Sequence, residues 1–272
     1  MTEPRTQAPF CRRLARVGSN AELGAYRLLS VHDDDGPRDP RPGQFYMLAA
    51  AERWGGDGER PYLPRAFSYA RARGDGVLDF LLDAIGPGTR RLAELQAGDA
   101  LWLTGPLGIG FRLPDRDGIR HLLVGGGIGA APIVCLSDEL GGRGEVLLGF
   151  RSGAHARAAE LFDGHAELAT DDGSAGRQAL VTELLRERLD ERGAEAAAYA
   201  CGPPPMLEAV RAICAEREVP AQLALESGMA CGFGACFGCV APTRNGYVRL
   251  CVDGPVLDAT DLESALFAGA GH

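Results

Sequence analysis

Residues 121–132 read HLLVGGGIGAAP, an apolar run followed by a glycine turn and by a proline in the first turn of a helix. This strand–turn–helix pattern fits the G-x-G-x-x-A form of a dinucleotide-binding turn, whose backbone amides and helix N-terminus face a pyrophosphate. Glycine turns also serve merely to pack a helix against a strand. The setting favours nucleotide binding, with Gly125, Gly127 and Gly129 as candidate residues.

Strands and helices alternate from residue 120 onward. Strands are predicted at 121–124, 145–150, 166–170, 196–201 and 221–225, and helices at 130–140, 156–162, 179–191 and 205–216. This alternation predicts a doubly wound parallel sheet, assigned to residues 114–225. Cys201 is the last residue of the strand predicted at 196–201, and Gly202 follows it. Both are therefore expected at the carboxyl edge of the sheet, where ligands bind. Arg151 stands where an acidic ribose ligand is usual, which leaves NADH and NADPH both open.

The first hundred residues have a different pattern. Short runs in which apolar and polar residues alternate, such as 26–32 and 77–82, lie between clusters of Gly, Pro and Asp. This pattern predicts a small antiparallel barrel or sandwich, assigned to residues 8–113. The polar, Gly-rich stretch 52–61 is predicted to be a surface loop outside the core.

Two segments of this N-terminal domain suit phosphate binding. Gly86-Pro87-Gly88-Thr89 precedes a short helical pattern at 90–95, so its amides can face a pyrophosphate. Arg65-Ala66-Phe67-Ser68 places a permanent cation, a ring and a hydroxyl on one predicted strand. On chemistry alone, an ordinary surface strand explains the second segment equally well.

The strongest signal is a C-x4-C-x2-C spacing followed by a fourth cysteine after eleven more residues, formed by Cys231, Cys236, Cys239 and Cys251. This is the plant-type spacing of a [2Fe-2S] cluster. Glycines give the loop its freedom to turn three thiolates inward, and Asn245-Gly246 predicts a hairpin before the last cysteine. A four-cysteine zinc site is the alternative. The hydrophobic periodicities of helices and strands are both lost after about Ser227. Residues 226–272 are therefore predicted to use a metal in place of an apolar core.

The bulk properties exclude several classes of function. A net charge of −9 opposes binding to nucleic-acid phosphates. The most apolar run, 122–136, is glycine-rich and shorter than the roughly 20 residues of a membrane helix. The charged first twenty residues contain no secretory h-region. Eight cysteines without a secretory signal indicate metal or redox chemistry in the reducing cytoplasm.

Together these segments resemble the electron-transfer subunits of the two-component dihydroorotate dehydrogenases, within the wider ferredoxin-NADP reductase superfamily. The most specific string is LESGMACGFGACFGC at 225–239, continued by CVDGPV at 251–256. PGQF at 42–45, GPLGIGF at 105–111 and CGPPPM at 201–206 extend the resemblance over most of the chain. It implies an FAD-binding barrel, a doubly wound nicotinamide domain and a small [2Fe-2S] subdomain.

The resemblance implies that Arg65 contacts the FAD pyrophosphate, that Gly88 and Thr89 hold FAD phosphates and that Ser68 lies near the flavin ring. Gly127 and Gly129 would hold the nicotinamide dinucleotide, with Cys201 close to the site of hydride transfer. Ser68 and Cys201 are thus the predicted catalytic residues. The predicted cofactor-binding set is completed by Ala66, Phe67, Gly86, Gly125 and Gly202. Departures from the family pattern are Ala66 in place of proline and Pro87 in place of a frequent lysine.

The implied path takes hydride from NAD(P)H to FAD and then moves single electrons through the [2Fe-2S] cluster. In the family the cluster exchanges electrons with the FMN of a separate catalytic subunit that oxidises dihydroorotate, within a heterotetramer. The same architecture resembles subunits of ferredoxin-NADP oxidoreductase, sulfite reductase and hydrogenase complexes, which is the principal alternative. A non-enzymatic redox sensor and a zinc-stapled interaction module are alternatives from other classes.

Overall fold

The computed structural model describes residues 12–55, 60–114, 118–191, 195–267 and 269–270. The predicted domain start at 8–11 and residues 56–59 of the predicted loop lie outside these ranges. The described part of that loop, 52–55 and 60–61, belongs to no helix or strand, as predicted. No helix in the described ranges is both long and apolar enough to cross a membrane.

Six antiparallel strands close into a barrel in the order β1-β2-β5-β4-β3-β6, which confirms the barrel predicted for the N-terminal domain. The strands are β1 (Arg12–Leu23), β2 (Tyr26–His32), β3 (Phe45–Ala50), β4 (Arg65–Ala72), β5 (Val77–Leu82) and β6 (Ala100–Leu107), with α1 (Pro87–Ala93) between β5 and β6. Buried and partly exposed residues alternate along β6, since Leu101 and Leu103 point into the barrel. β3 is buried at every position.

A seven-stranded sheet forms the second domain, in the order β10-β9-β8-β7-β11-β12-β15. Its strands are β7 (Arg120–Gly126), β8 (Gly144–Phe150), β9 (Ala166–Thr170), β10 (Arg177–Gln178), β11 (Ala196–Cys201), β12 (Ala221–Ala224) and β15 (Val256–Asp258). All neighbours are parallel except β12 and β15. The chain order reverses between β7 and β11, which is where ligands bind in doubly wound sheets.

Helices cover both faces of this sheet, as the alternating pattern predicts. They are α2 (Ala130–Glu139), α3 (Gly153–Ala156), α4 (Val181–Asp190) and α5 (Pro204–Glu216). Apolar residues of α4 and α5 pack on one face, and those of α2 and α3 pack on the other. The helix predicted at 156–162 is wrong in its bounds, because α3 starts at Gly153 and continues as a 3-10 helix over Arg157–Leu161.

An ion pair joins the barrel to the sheet domain. Arg71 on β4 donates to Asp138 on α2 at 2.6 and 3.0 Å, and also to the carbonyl oxygen of Leu161 at 2.9 Å. α2 packs along β4 around this pair. The bidentate geometry adds specificity to the contact between the two elements.

The region after β12 corrects one prediction. It was expected to lack an apolar core, but Leu250, Leu257 and Leu262 are buried in the same cluster as residues of α4 and α5. β15 also extends the sheet as an antiparallel edge strand. A separate hairpin, β13 (Val240–Thr243) with β14 (Gly246–Arg249), pairs Thr243 with Gly246, so its turn lies one residue before the predicted Asn245-Gly246.

Candidate functional site

The cofactor cleft is a cavity of about 420 Å³ between the barrel and the sheet. β4 contributes residues 65–68, the carboxyl edge of the sheet contributes Gly129 and Cys201, and the segment after β12 contributes residues 225–229. The predicted site residues in its lining are Arg65, Ala66, Phe67, Ser68, Gly86, Thr89, Gly129 and Cys201. The predicted residues outside its lining are Gly88, Gly125, Gly127 and Gly202.

Arg65 lies against the start of α1. A Cβ added to Gly88 would come 2.6 Å from the Arg65 Nε, and the Trp54 ring centre lies 6.0 Å from the Arg65 guanidinium carbon. The Gly86 amide donates to the Thr89 hydroxyl at 2.9 Å. Gly88 and Thr89, predicted as a turn before the helix, are in fact its first turn. A guanidinium beside first-turn amides suits a pyrophosphate, so this side of the cleft fits FAD.

The glycine turn after β7 both packs the following helix against the sheet and leaves room for a phosphate. A Cβ on Gly129 would collide with the carbonyl oxygen of Cys201, and one on Gly126 would collide with the Met206 sulfur. Backbone packing therefore requires a glycine at Gly129, whereas at Gly126 the flexible Met206 side chain would have to move aside. Gly127 has a left-handed φ of 56°, and the nearest atom to an added Cβ is 3.7 Å away. Its surroundings are open, which leaves room for a bound phosphate.

Cys201 and Ser68 face the same cleft from opposite domains. Cys201 ends β11 and is paired with Gly125 in the parallel register, and Ser68 lies on β4 opposite Phe45. Burial, with a smaller effect of Glu226, raises the pKa of the Cys201 thiol well above its usual value. The thiol is therefore neutral at physiological pH. The two predicted catalytic residues, Ser68 and Cys201, both line the cofactor cleft.

Glu226 is a cleft residue that sequence reasoning missed. Its side chain is partly buried, and burial raises its pKa to about 7. A carboxyl group with this pKa exchanges a proton near neutral pH, which is typical of groups at functional sites. The available signal was its position just after β12, at the carboxyl edge of the sheet.

The cluster loop, residues 227–239, directs backbone amides at the cysteine sulfurs. Every one of the four Sγ atoms accepts a backbone N–H. The pairs are Phe233 to Cys231 at 3.5 Å, Gly238 to Cys236 at 3.4 Å, Cys251 to Cys239 at 3.5 Å and Gly234 to Cys251 at 3.1 Å. Hydrogen bonds of this kind stabilise negative charge on sulfur and tune the potential of an iron–sulfur cluster.

The Cys231 thiol interacts with that of Cys236, and the Cys251 thiol interacts with those of Cys239 and Cys231. A zinc site needs four ligands around one centre, whereas a two-iron cluster divides its four thiolates between two irons. Four neighbouring thiols with the plant-type spacing therefore fit a [2Fe-2S] cluster.

The cluster loop packs against the barrel. Gly232 has a φ of 81°, and an added Cβ would come 2.5 Å from Met47 on β3. Ala230, Cys231 and Phe233 border a second cavity of about 330 Å³, whose other wall includes barrel residues such as Trp102. The loop is thus wedged between the two cavities.

Sequence comparisons agree with this geometry. The family described as the iron-sulfur cluster binding domain of dihydroorotate dehydrogenase B matches residues 226–263. The electron transfer subunit of dihydroorotate dehydrogenase B (NAD(+)) from Caldanaerobacter subterraneus subsp. tengcongensis is 35% identical over 91% of this chain and 97% of its own length. The chain belongs to this family of electron transfer subunits. Its relative from Clostridium acetobutylicum is 35% identical over 89% of this chain and 92% of its own length.

Solved structures share the fold of this family member. A chain of an NADH-dependent reduced ferredoxin-NADP oxidoreductase superposes with a TM-score of 0.77 at 23% identity, covering 93% of this chain and 90% of that chain. The ferredoxin reductase of carbazole 1,9a-dioxygenase gives 0.64 at 25% identity, covering 79% and 68%. These likenesses confirm the predicted combination of a barrel with a doubly wound sheet.

Two aromatic side chains of the family's cluster loop face solvent. Phe233 is 48% exposed and Phe237 is 62% exposed. Phe237 has a left-handed φ of 57°, and the Arg249 guanidinium lies 5.2 Å from its ring centre. Exposed aromatic side chains held in a defined geometry are common at protein interfaces.

Proposed function

We propose that this chain moves electrons between NAD(H), FAD and a [2Fe-2S] cluster, and exchanges them with the FMN of a dihydroorotate dehydrogenase catalytic subunit in pyrimidine biosynthesis. One observation carries the proposal. Residues 225–229 line the cofactor cleft, and the same segment continues without interruption into Ala230 and Cys231. The cleft and the first cluster ligand are therefore only a few residues apart, which suits electron transfer between them.

The residues predicted to contact the cofactors most directly each have a task in this proposal. Arg65 and the first turn of α1 would hold the FAD phosphates, and Ser68 would lie near the flavin ring. The turn at Gly127 and Gly129 would hold the dinucleotide phosphates of NAD(H), and the neutral thiol of Cys201 would lie close to the site of hydride transfer. A bound flavin supplies the ability to take two electrons as hydride and release them one at a time to a cluster.

The overall reaction balances. Dihydroorotate loses two electrons and two protons at the partner subunit, NAD+ takes up two electrons and one proton as hydride, and one proton is released. NAD(H) is preferred here over NADP(H) because the names of the relatives specify NAD(+).

The test is to mix the reconstituted chain with an FMN-containing dihydroorotate dehydrogenase subunit and to follow dihydroorotate-dependent reduction of NAD+. Cys236→Ser should abolish this activity because it removes a cluster ligand. Cys214→Ala is the matched control, since Cys214 is buried in α5 and is not one of the four predicted cluster ligands. Undiminished NAD+ reduction by Cys236→Ser, or a failure of the two subunits to co-elute in size-exclusion chromatography, would contradict the proposal.

A further inference from the structure

Ser227 occupies a fixed position at the start of the cluster loop. It is 4% exposed and lines the cofactor cleft. Its backbone forms an isolated bridge with Ala270, and the amide of Leu225 just before it donates to the Pro255 carbonyl oxygen at 2.9 Å. The serine side chain therefore stands on a backbone that neighbouring strands hold in place.

The Ser227 hydroxyl lacks a hydrogen-bond partner. Five buried side-chain polar atoms have none within the described ranges, and the other four belong to Tyr46, Trp54, His121 and Tyr199. None of those four residues lines the cofactor cleft. A buried hydroxyl that has lost its hydration without gaining a partner is costly, so native proteins nearly always supply one. For Ser227, a ligand in the cleft can supply it.

The position of Ser227 along the chain points to the flavin ring as that ligand. Ser227 is four residues before Cys231, and it belongs to the cleft wall that continues into the cluster ligands. A flavin that exchanges electrons with the cluster must bring its ring to this wall. The phosphates are served by Arg65 and α1 on the barrel side. The ring edge carries carbonyl oxygens and ring nitrogens that can accept a hydroxyl proton.

We propose that Ser227 donates a hydrogen bond to the polar edge of the bound flavin ring and is a positioning residue for electron transfer to the cluster. The inference rests on the proposed function, because that supplies the FAD. A reduced ring carries more negative charge on this edge than an oxidised one, so a donated hydrogen bond binds the reduced form more tightly. Ser227 therefore raises the midpoint potential of the flavin.

The test compares the holoprotein with Ser227→Ala in FAD occupancy, cluster absorption and the two-electron midpoint potential of the flavin. Occupancy and cluster absorption should be unchanged, while the preference for reduced flavin falls about tenfold, which lowers the potential by about 30 mV. Ser227→Cys keeps a weak donor of similar volume and should give a smaller shift. If Ser227→Ala does not fold, the shift of the flavin midpoint potential in Ser227→Cys tests the proposal.

The matched control is Ser264→Ala, since the Ser264 hydroxyl bonds Glu208 at 3.0 Å outside the cleft and its loss should leave the potential unchanged. A wild-type chain that binds no FAD would overturn the proposed function and this inference with it. Full FAD occupancy with an unchanged potential in both Ser227 variants would overturn this inference alone. A rise in the KM for NADH as the only effect would do the same, because it would assign the hydroxyl to the nicotinamide.

Discussion

Gly129, in the turn after β7, packs so closely on the carbonyl oxygen of Cys201 at the end of β11 that no Cβ fits between them. This contact lies at the point where the chain order of the sheet reverses. It joins the predicted dinucleotide turn to the predicted hydride-transfer residue, so neither can shift without the other.

Gly129→Ala is expected to lower the free energy of unfolding by about 1–3 kcal/mol, the usual cost of overpacking, and to weaken NADH binding. Thermal unfolding and NADH titration measure both effects. Gly164→Ala is the control, because an added Cβ there meets no atom within 4 Å. It should stay within about 0.5 kcal/mol of wild type. Equal behaviour of the two variants would refute the packing argument.

Arg65→Ala should weaken FAD binding roughly 10- to 100-fold, as expected for the loss of hydrogen bonds to a charged group. Arg91→Ala removes another arginine from the neighbourhood of α1, one that pairs with Glu94 at 3.4 Å, and should bind FAD normally. Fluorescence titration of the flavin-free protein with FAD and with FMN measures this. Unchanged FAD affinity in Arg65→Ala, or FMN as the flavin released from the native protein, would show the assignment to be wrong.

Serine in place of any of the four cluster cysteines should remove most of the iron and acid-labile sulfide, which wild type should contain in equal amounts. Cys214→Ala should keep both. Metal and sulfide analysis of anaerobically purified protein gives the answer. Stoichiometric zinc without sulfide would falsify the [2Fe-2S] assignment and restore the zinc alternative.

Flavin reduction by NADH should slow as the pH rises through about 7, because ionised Glu226 opposes the arrival of negative charge in the cleft. Glu226→Gln should remove this inflection in stopped-flow traces. Glu208→Gln should retain it, since hydrogen bonds, chiefly from Arg211, hold the pKa of Glu208 below its usual value. An inflection that persists in Glu226→Gln would show that another group causes it.

The same carboxyl predicts a stability trend. Its pKa is raised on folding from 4.5 to about 7, so between these values the folded state binds more protons than the unfolded state. The contribution of Glu226 to the free energy of unfolding should therefore fall as the pH rises from about 4.5 to about 7. Denaturant titrations should show that Glu226→Gln lacks this decrease. A parallel decrease in the two proteins would contradict the raised pKa.

Phe237→Asp should weaken the complex with the FMN-bearing subunit by about 2 kcal/mol or more, the loss expected for a central aromatic residue. Isothermal titration calorimetry measures the affinity. Leu180→Asp is the control, because Leu180 is 58% exposed and stands at the N-cap of α4, where aspartate is favourable. Equal affinities for the two variants would place the interface elsewhere.

The sequence predicted most strands because they are short apolar runs bounded by turn residues, and four strands, such as β5 and β11, have the predicted bounds. β15 was missed because three residues are too few to show a period. The cluster cysteines could be predicted because the spacing of three of them is local. Glu226 and Ser227 could not, since their importance comes from burial in a cleft that only the folded chain encloses.

The pairing of β12 with β15 determines how the cluster region is attached to the sheet. Ala224 lies opposite Val256 in the sheet, and Leu225 bonds Pro255 just beyond. In topological terms, the whole cluster region is the connecting loop of a long β-hairpin, anchored at both ends on neighbouring strands. A region attached at two adjacent points cannot swing as one tethered by a single linker does. The distance that an electron must cover between the cofactor cleft and the cluster is therefore set by strand pairing. It does not depend on the movement of a flexibly tethered domain.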